Sequence, residues 1–310
     1  MTRTGDAVLI TGAGTGFGLA SALRLARRGF RVFATVPDPA QEEGVAAAAA
    51  AAGVRVHVLP LDVTDPDSIT RAVSAVVEQA GGIYALVNNA GLGLRGFFED
   101  LADDEIRHLF AVNVFGAMAV TRQVLPHLRR ARRGRLVFLS SAGGRIGDMT
   151  LSGYCSTKFA LEGLGESLLL ELAPLGIFVS LIEPGVAMTP HFTVNRGWAR
   201  SAVDPSSPYY GWFVRHERMV DDLLRAGRIT ADDVGAAVER ALTARRPRLR
   251  YVVGRGARLM IALHRYLPAE TFARLYARFA VRMVTHPRPE AGAGEALDES
   301  ITRVEAKGNG

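Results

Sequence analysis

Ser141, Tyr154 and Lys158 stand in an order that suits proton transfer, the last two four residues apart in the run "YCSTK". That spacing, at the start of a helical pattern, puts the tyrosine and lysine side chains on one face. A free tyrosine ionises near pH ~10, too high for acid/base work at neutrality, and moving it to ~7 takes about 4 kcal/mol. A neighbouring ammonium group in a partly desolvated cleft supplies much of that by favouring the phenolate. Ser141 is then expected to hydrogen-bond a substrate oxygen while Tyr154 moves its proton. A tyrosine–lysine pair at this spacing also occurs by chance on exposed helices, so the surroundings decide.

The first of those surroundings is the glycine-rich stretch "VLITGAGTGFG", residues 8–18. It lacks the Gly-Lys-Ser/Thr ending of a P-loop, and its third glycine is misplaced for G-x-G-x-x-G. It fits G-x-x-x-G-x-G through Gly12, Gly16 and Gly18. Glycines here let the chain turn sharply and bring backbone close to a pyrophosphate, and a helix beginning near Phe17 offers its N-terminus to the phosphates.

Behind the loop, apolar strand-like runs recur: Ala7–Thr11, Arg31–Val36, Val54–Pro60, Ile83–Asn88, Arg135–Ser140, Ile177–Glu183 and Leu249–Val253. Most are apolar on both faces, as strands buried between helical layers must be. Helical patterns alternate with them: Phe17–Gly29, Ala40–Ala52, Asp67–Ala80, Asp103–Arg130, Tyr154–Leu175 and Ala231–Ala244. This predicts an α/β fold, one doubly wound parallel sheet of about seven strands with helices on both faces. Ser141 then follows a strand's carboxyl end, where open α/β sheets hold their ligands. The expected organisation is one dinucleotide-binding domain over 1–286 with a tail over 287–310, rich in Gly, Ala and charge and expected to be disordered. Two segments break the alternation. The long connection 187–228 carries Phe192, Trp198, Tyr209, Tyr210, Trp212 and Phe213 and is expected to act as an apolar lid. A C-terminal extension over 256–284 mixes apolar residues with arginines, in one or two amphipathic helices.

Composition narrows the function classes. The single cysteine, Cys155, excludes an internal disulfide framework and a multi-cysteine metal site, and the histidines lack ligand spacing, so no metal is expected. The first strand-like run begins at Ala7, and no apolar run approaches the ~20 residues of a membrane span. A cytoplasmic protein is the expectation. The net charge of +6 concentrates in Arg122, Arg129, Arg130, Arg132, Arg133 and Arg135. Cations at a helix C-terminus account for these, and no nucleic-acid partner is expected. Lipid-surface contact by the C-terminal extension is conceivable but not expected.

Together these motifs resemble the short-chain dehydrogenase/reductase family in its single-domain branch, over about residues 7–254. "TGAGTGFG", residues 11–18, resembles its T-G-x-x-x-G-x-G loop, and Asp62-Val63 its adenine-contacting pair. "NNAG" at 88–91 resembles the segment beside the cofactor ribose; "PGVAMT" at 184–189 resembles the stretch near the nicotinamide carboxamide. "NAGLGLRG", "YCSTKFALEGLGESL" and "RPRLRYVVG" are most similar to the hydroxysteroid and retinol dehydrogenase group.

The resemblance implies catalysis by Ser141, Tyr154 and Lys158, with Asn113 sustaining a proton path. It implies binding of NAD or NADP by Gly12, Thr15, Gly16, Phe17, Gly18, Asp62, Val63, Asn89, Ala90, Gly91, Tyr154, Lys158, Pro184, Gly185, Val186 and Thr189. The expected substrate is a small lipophilic alcohol or carbonyl compound, steroid-, retinoid- or polyketide-like. The expected assembly is a homodimer or homotetramer packed through the helices 103–130 and 154–175. The family's usual coenzyme-selecting acid is absent: Val36 and Pro37 occupy the end of the second strand. Asp38 is the nearest acid to the ribose, and without an evident cation for a 2′-phosphate the expectation leans to NAD. His191 is a candidate for the pocket wall. A nucleotide sensor without turnover is the rival from another class, though it would be expected to lose the tyrosine or lysine. The glycine spacing disfavours a sugar-nucleotide epimerase.

Overall fold

Strands apolar on both faces demand two helical layers, and the computed structural model, which describes residues 5–186, 197–227 and 229–285, has them. Its strands are β1 (Ala7–Ile10), β2 (Arg31–Val36), β3 (Val56–Pro60), β4 (Ala85–Asn88), β5 (Gly134–Leu139), β6 (Ile177–Pro184) and β7 (Arg250–Val253). All pair in parallel in the order β3-β2-β1-β4-β5-β6-β7. The order reverses between β1 and β4, which opens a crevice at the carboxyl ends of the strands.

The helices are α1 (Gly16–Arg27), α2 (Glu42–Ala51), α3 (Pro66–Ala80), α4 (Asp103–Phe110), α5 (Ala117–Ala131), α6 (Ser152–Leu172), α7 (Tyr210–Ala226), α8 (Ala231–Thr243), α9 (Arg255–Tyr266) and α10 (Ala269–Thr285). One core lies between the sheet and α3, α5 and α6, through Ile69, Val73, Val120, Val124, Leu161 and Leu168. The other lies between the sheet and α1, α2 and α8, through Ala22, Leu25, Val45, Val234 and Val238.

Sequence expectations on a membrane-length run and on the aromatic connection need correcting. The helix expected over 103–130 is present as one stretch, Asp103–Ala131, and contains a π-turn at Ala111–Gly116. There Asn113 turns inward and makes three hydrogen bonds to neighbouring segments. By length and composition the stretch Asp103–Ala131 is also apolar enough to cross a membrane. Its buried Val114, Val120, Val124 and Leu128 account for that, since they face the sheet or its neighbouring helices. The second correction concerns the aromatic connection. Over residues 197–227 it builds α7, whose His216, Met219, Val220 and Leu223 line a cavity, while its aromatic rings form a satellite core instead of lining that cavity. Phe97 stacks on Tyr209 at 5.0 Å and Trp198 meets Phe213 edge-on at 6.3 Å. These rings bury one another because Leu94, Leu101 and Leu109 supply the matching apolar surface. Thr189, His191 and Phe192 and the tail 287–310 lie outside the described residues.

Candidate active site

Two cavities meet at one side chain. The smaller, about 630 Å³, runs from the glycine turn to Lys158. The larger, about 1010 Å³, lies under α7, α9 and α10 and reaches Ser141. Tyr154 lines both.

The floor of the smaller cavity is set by backbone. Gly12 and Gly16 have φ of +62° and +56°, values that L side chains rarely adopt. A Cβ on Gly12 would come within 2.8 Å of the Ala90 Cα, and one on Gly18 within 2.6 Å of the Gly12 oxygen. Gly18 thus serves close packing beneath the cavity, while Gly12, Thr15, Gly16 and Phe17 line it. Thr11 and Asn89 lock this floor to β4. The Thr11 hydroxyl accepts from the Asn89 and Ala90 N–H groups at 3.0 Å, and the Asn89 amide donates to the Thr11 and Gly12 carbonyls.

Thr15 at the head of α1 makes no side-chain cap, and no acid occupies the first turn. Asp65 and Thr230, by contrast, cap α3 and α8. An uncapped helix end at a glycine cradle suits a pyrophosphate, so the residues present fit a dinucleotide. Asp62, Val63, Asn89, Ala90 and Gly91 line the same cavity. Pro184, Gly185 and Val186 line the larger one instead.

Asp38 departs from its expected place. Its carboxylate accepts from the Ala40 N–H at 2.9 Å, capping its own turn, and it lines neither cavity. Pro37 and Gln41 form that stretch of wall. Gln41 is one of the residues that the sequence reading missed, and only the turn geometry exposes it.

Around Tyr154 the groups are held from three elements. Ser141 follows β5 in extended backbone and accepts from the Gly143 N–H at 3.1 Å, and its hydroxyl is within hydrogen-bonding reach of Tyr154. Tyr154 and Lys158 share the buried face of α6, with the Lys158 Nζ 5.5 Å from the ring centroid. That ammonium donates to the Leu139 carbonyl at 2.8 Å. Asn113 lines neither cavity. Its amide donates to the Leu92 carbonyl at 2.9 Å and to the Thr157 hydroxyl at 3.1 Å, while accepting from the Leu92 N–H at 2.7 Å. It fixes the strip 89–92 against α6.

Burial dominates the electrostatics of the protein alone. It pushes the Tyr154 hydroxyl up to about 12, against the lowering influence of Ser141 and Arg95. It pulls Lys158 down to about 8, against the nearby Glu162. The expected lowering of the tyrosine by the lysine is therefore not a property of the isolated chain. In the protein alone Tyr154 is protonated at neutral pH, and burial makes it a weaker acid than a free tyrosine. Cys155 is buried, pushed up to about 11 by desolvation, and sits on the Ile146 carbonyl as a packing residue.

The larger cavity contains charges that sequence reading also missed. Arg95 donates to Glu217 at 2.7 Å, and Trp198 Nε1 donates to the other oxygen of Glu217 at 2.8 Å. Arg95 and Glu217 are almost wholly buried. The one available signal was an arginine within the apolar run "GLGLRGFF".

Comparison with known proteins agrees with this geometry. A family model described as short chain dehydrogenase matches residues 6–199. Retinol dehydrogenase 5 of Mus musculus is 36% identical over 278 residues, covering 84% of this chain and 85% of that protein. The 17-beta-hydroxysteroid dehydrogenase type 1 of Homo sapiens is 36% identical over 262 residues, covering 81% of this chain and 77% of that protein. A solved short-chain dehydrogenase from Streptomyces avermitilis aligns with a TM-score of 0.74 at 33% identity, covering 89% of this chain and 97% of that one.

Proposed function

The chain belongs to the short-chain dehydrogenase/reductase family, an NAD(P)-dependent alcohol and carbonyl oxidoreductase of its retinol and hydroxysteroid group, and on that premise we propose that it acts on a lipophilic substrate with Tyr154 as acid/base. The observation that carries the reading is that Tyr154 is the wall shared by the two cavities. A carbonyl compound in the larger cavity would have its oxygen at Ser141 and Tyr154, with a nicotinamide coenzyme held by the residues of the smaller cavity to supply the hydride.

The nicotinamide coenzyme, when bound, supplies or accepts the hydride. The chain's own residues do the rest. Ser141 hydrogen-bonds the substrate oxygen, and Tyr154 gives that oxygen a proton as the hydroxyl during reduction or takes one as the phenolate during oxidation. Lys158 stabilises the phenolate left behind, and its own proton is held against the Leu139 carbonyl. Asn113 keeps the 89–92 strip in register with α6. The wall at Pro37 and Gln41 has no arginine or lysine, which favours NAD over a coenzyme bearing a 2′-phosphate. The larger cavity's volume suits a drug-sized apolar molecule. Phe115, Phe159 and Leu170 are exposed on the helical stretches 111–131 and 152–172, and we assign that face to self-association.

Tyr154→Phe tests the mechanism. Turnover of a lipophilic ketone should fall by on the order of 10²–10⁴-fold, the usual worth of a positioned acid. Coenzyme affinity should hold within about twofold, because the lost hydroxyl is not part of the glycine cradle. Undiminished turnover would overturn the role of Tyr154; tight coenzyme binding by the wild type with no turnover of any carbonyl would favour a sensor.

A further inference from the structure

Helices α9 and α10 close over the larger cavity, yet their outer faces are left without a partner. Leu259, Leu263 and Tyr266 fall at i, i+4 and i+7 on α9 and are 60%, 38% and 78% exposed. That is one continuous apolar stripe on the outside of a helix. On α10, Leu275 is 54% exposed, and Phe279, 59% exposed, also lines the larger cavity.

The two helices carry Arg255, Arg258, Arg265, Arg274, Arg278 and Arg282, all exposed; Arg255 and Arg258 line the larger cavity and the other four do not, and Glu270 is the only acid between 255 and 285. None of these arginines meets a carboxylate among the described residues. Arg258 donates instead to the Val252 carbonyl, and Arg265 lies over the Tyr266 ring. Some arginines elsewhere are paired. Arg24 bridges Asp232 and Glu239, and Arg200 bridges Asp104 and Glu105. An apolar stripe flanked by unpaired arginines calls for an occupant that is both apolar and anionic.

We infer that the α9–α10 face docks on an anionic lipid bilayer, with Leu259, Leu263 and Tyr266 at headgroup depth and the arginines on lipid phosphates and carboxylates. A second copy fits this face less well. A two-fold contact lays the patch against itself, and the four arginines outside the cavity less one glutamate leave three net positive charges on each side. Met260, Tyr276 and Phe279 of the same helices line the larger cavity, so the docked surface adjoins the cavity. The docking itself does not rest on the catalytic reading.

The test is co-sedimentation of the full-length protein with phosphatidylcholine vesicles, with and without added phosphatidylserine. Partition onto the serine-containing vesicles should be tighter by on the order of tenfold or more and should weaken as salt is added. Combined Leu259→Ser, Leu263→Ser and Tyr266→Ser should detach the protein at an unchanged melting temperature, because none of the three is buried or lines a cavity. Combined Arg274→Gln, Arg278→Gln and Arg282→Gln should bring the two vesicle types close to equal. Equal partition of the wild type onto both, or onto neither, would overturn the proposal. So would light scattering in which the triple-serine variant splits a dimer into monomers. Vesicle binding and ketone turnover are separate readouts, so failure of one is distinguishable from failure of the other.

Discussion

The two cavities that meet at Tyr154 are built on different principles. The smaller is framed largely by main chain. Glycine turns at the ends of β1 and β4 are tied together by Thr11 and Asn89, and the Asn113 amide holds the strip beside them. The larger is framed by side chains from α7, α8, α9 and α10 and the turn after β5. Among them stands Arg95, paired with the buried Glu217 outside the lining; the buried cluster Glu183, Arg145, Arg250 and Glu162 at the end of β6 lines neither cavity. A pocket made of backbone holds its shape for one kind of ligand whatever the neighbouring side chains become. A pocket made of side chains is retuned by single substitutions. In this chain the two sorts of wall divide at one tyrosine.

The largest effect expected from that division comes from Arg95→Leu. The substitution leaves the buried Glu217 carboxylate without its cation, and breaking a buried pair in this way costs about 3–5 kcal/mol. The melting temperature should fall by roughly 6–20 °C, at about 2–4 °C per kcal/mol for a domain of this size class. Substrate KM should rise while coenzyme affinity holds, because Arg95 lines only the larger cavity. Adding Glu217→Gln should recover part of the loss, because no buried charge is then stranded. A coenzyme dissociation constant that moved with substrate KM would mean the two walls are mechanically one, and the division would fail.

The same division governs what could be read in the sequence. The smaller cavity rests on local signals. Gly12 and Gly16 are needed at positive φ, and Thr11, Asn89 and the helix after Gly16 lie within short motifs whose spacing carries the geometry. The alternation of apolar strands and helical patterns predicted the sheet, because each strand is buried on both faces. The larger cavity depends on which distant helices meet. Arg95 and Glu217 are 122 residues apart and carry no joint pattern. The aromatic connection misled for a physical reason: aromatic rings serve a satellite core as well as they serve a pocket, and composition does not separate the two. Asn113 was expected near the lysine, but the π-turn that aims it has no spacing signature of its own.

A smaller effect should appear in the pH dependence of stability, from a buried cluster that lines neither cavity. Glu183 is fully buried, and desolvation, with Glu162 second, raises it from an ordinary value of 4.5 to about 7, against Arg145 and Arg250. The groups facing it are Arg145 after β5, Arg250 on β7 and Glu162 on α6; Arg250 in turn holds Glu166. With its pKa raised on folding, the native state keeps a proton that the unfolded chain has released. The stabilising contribution is therefore complete below pH ~4.5 and is lost as pH rises through about 7. Chemical denaturation of the wild type across that window should show stability falling relative to Glu183→Gln, in which the side chain no longer titrates. A constant difference between the two proteins would show that Glu183 stays ionised on its two arginines throughout.

The smallest effect belongs to Asp38, and it sharpens the comparison from the coenzyme side. Its carboxylate is committed to the Ala40 N–H and points along its own turn, so truncation removes a cap worth ~1 kcal/mol of local stability and no coenzyme contact. The KM for NAD in Asp38→Ala should stay within about twofold of the wild type, whereas Gln41→Arg should shift the preference toward NADP by roughly tenfold, the value of about one charge-assisted contact to a 2′-phosphate. Gln41 has that reach because it lines the cavity and lies against Gly14, where an added Cβ would collide with its side-chain oxygen. A tenfold rise in the KM for NAD on losing Asp38 would mean that the turn rearranges when coenzyme binds and that the acid reaches the ribose after all. The smaller cavity would then share, at its adenosine end, the side-chain dependence that marks the larger one.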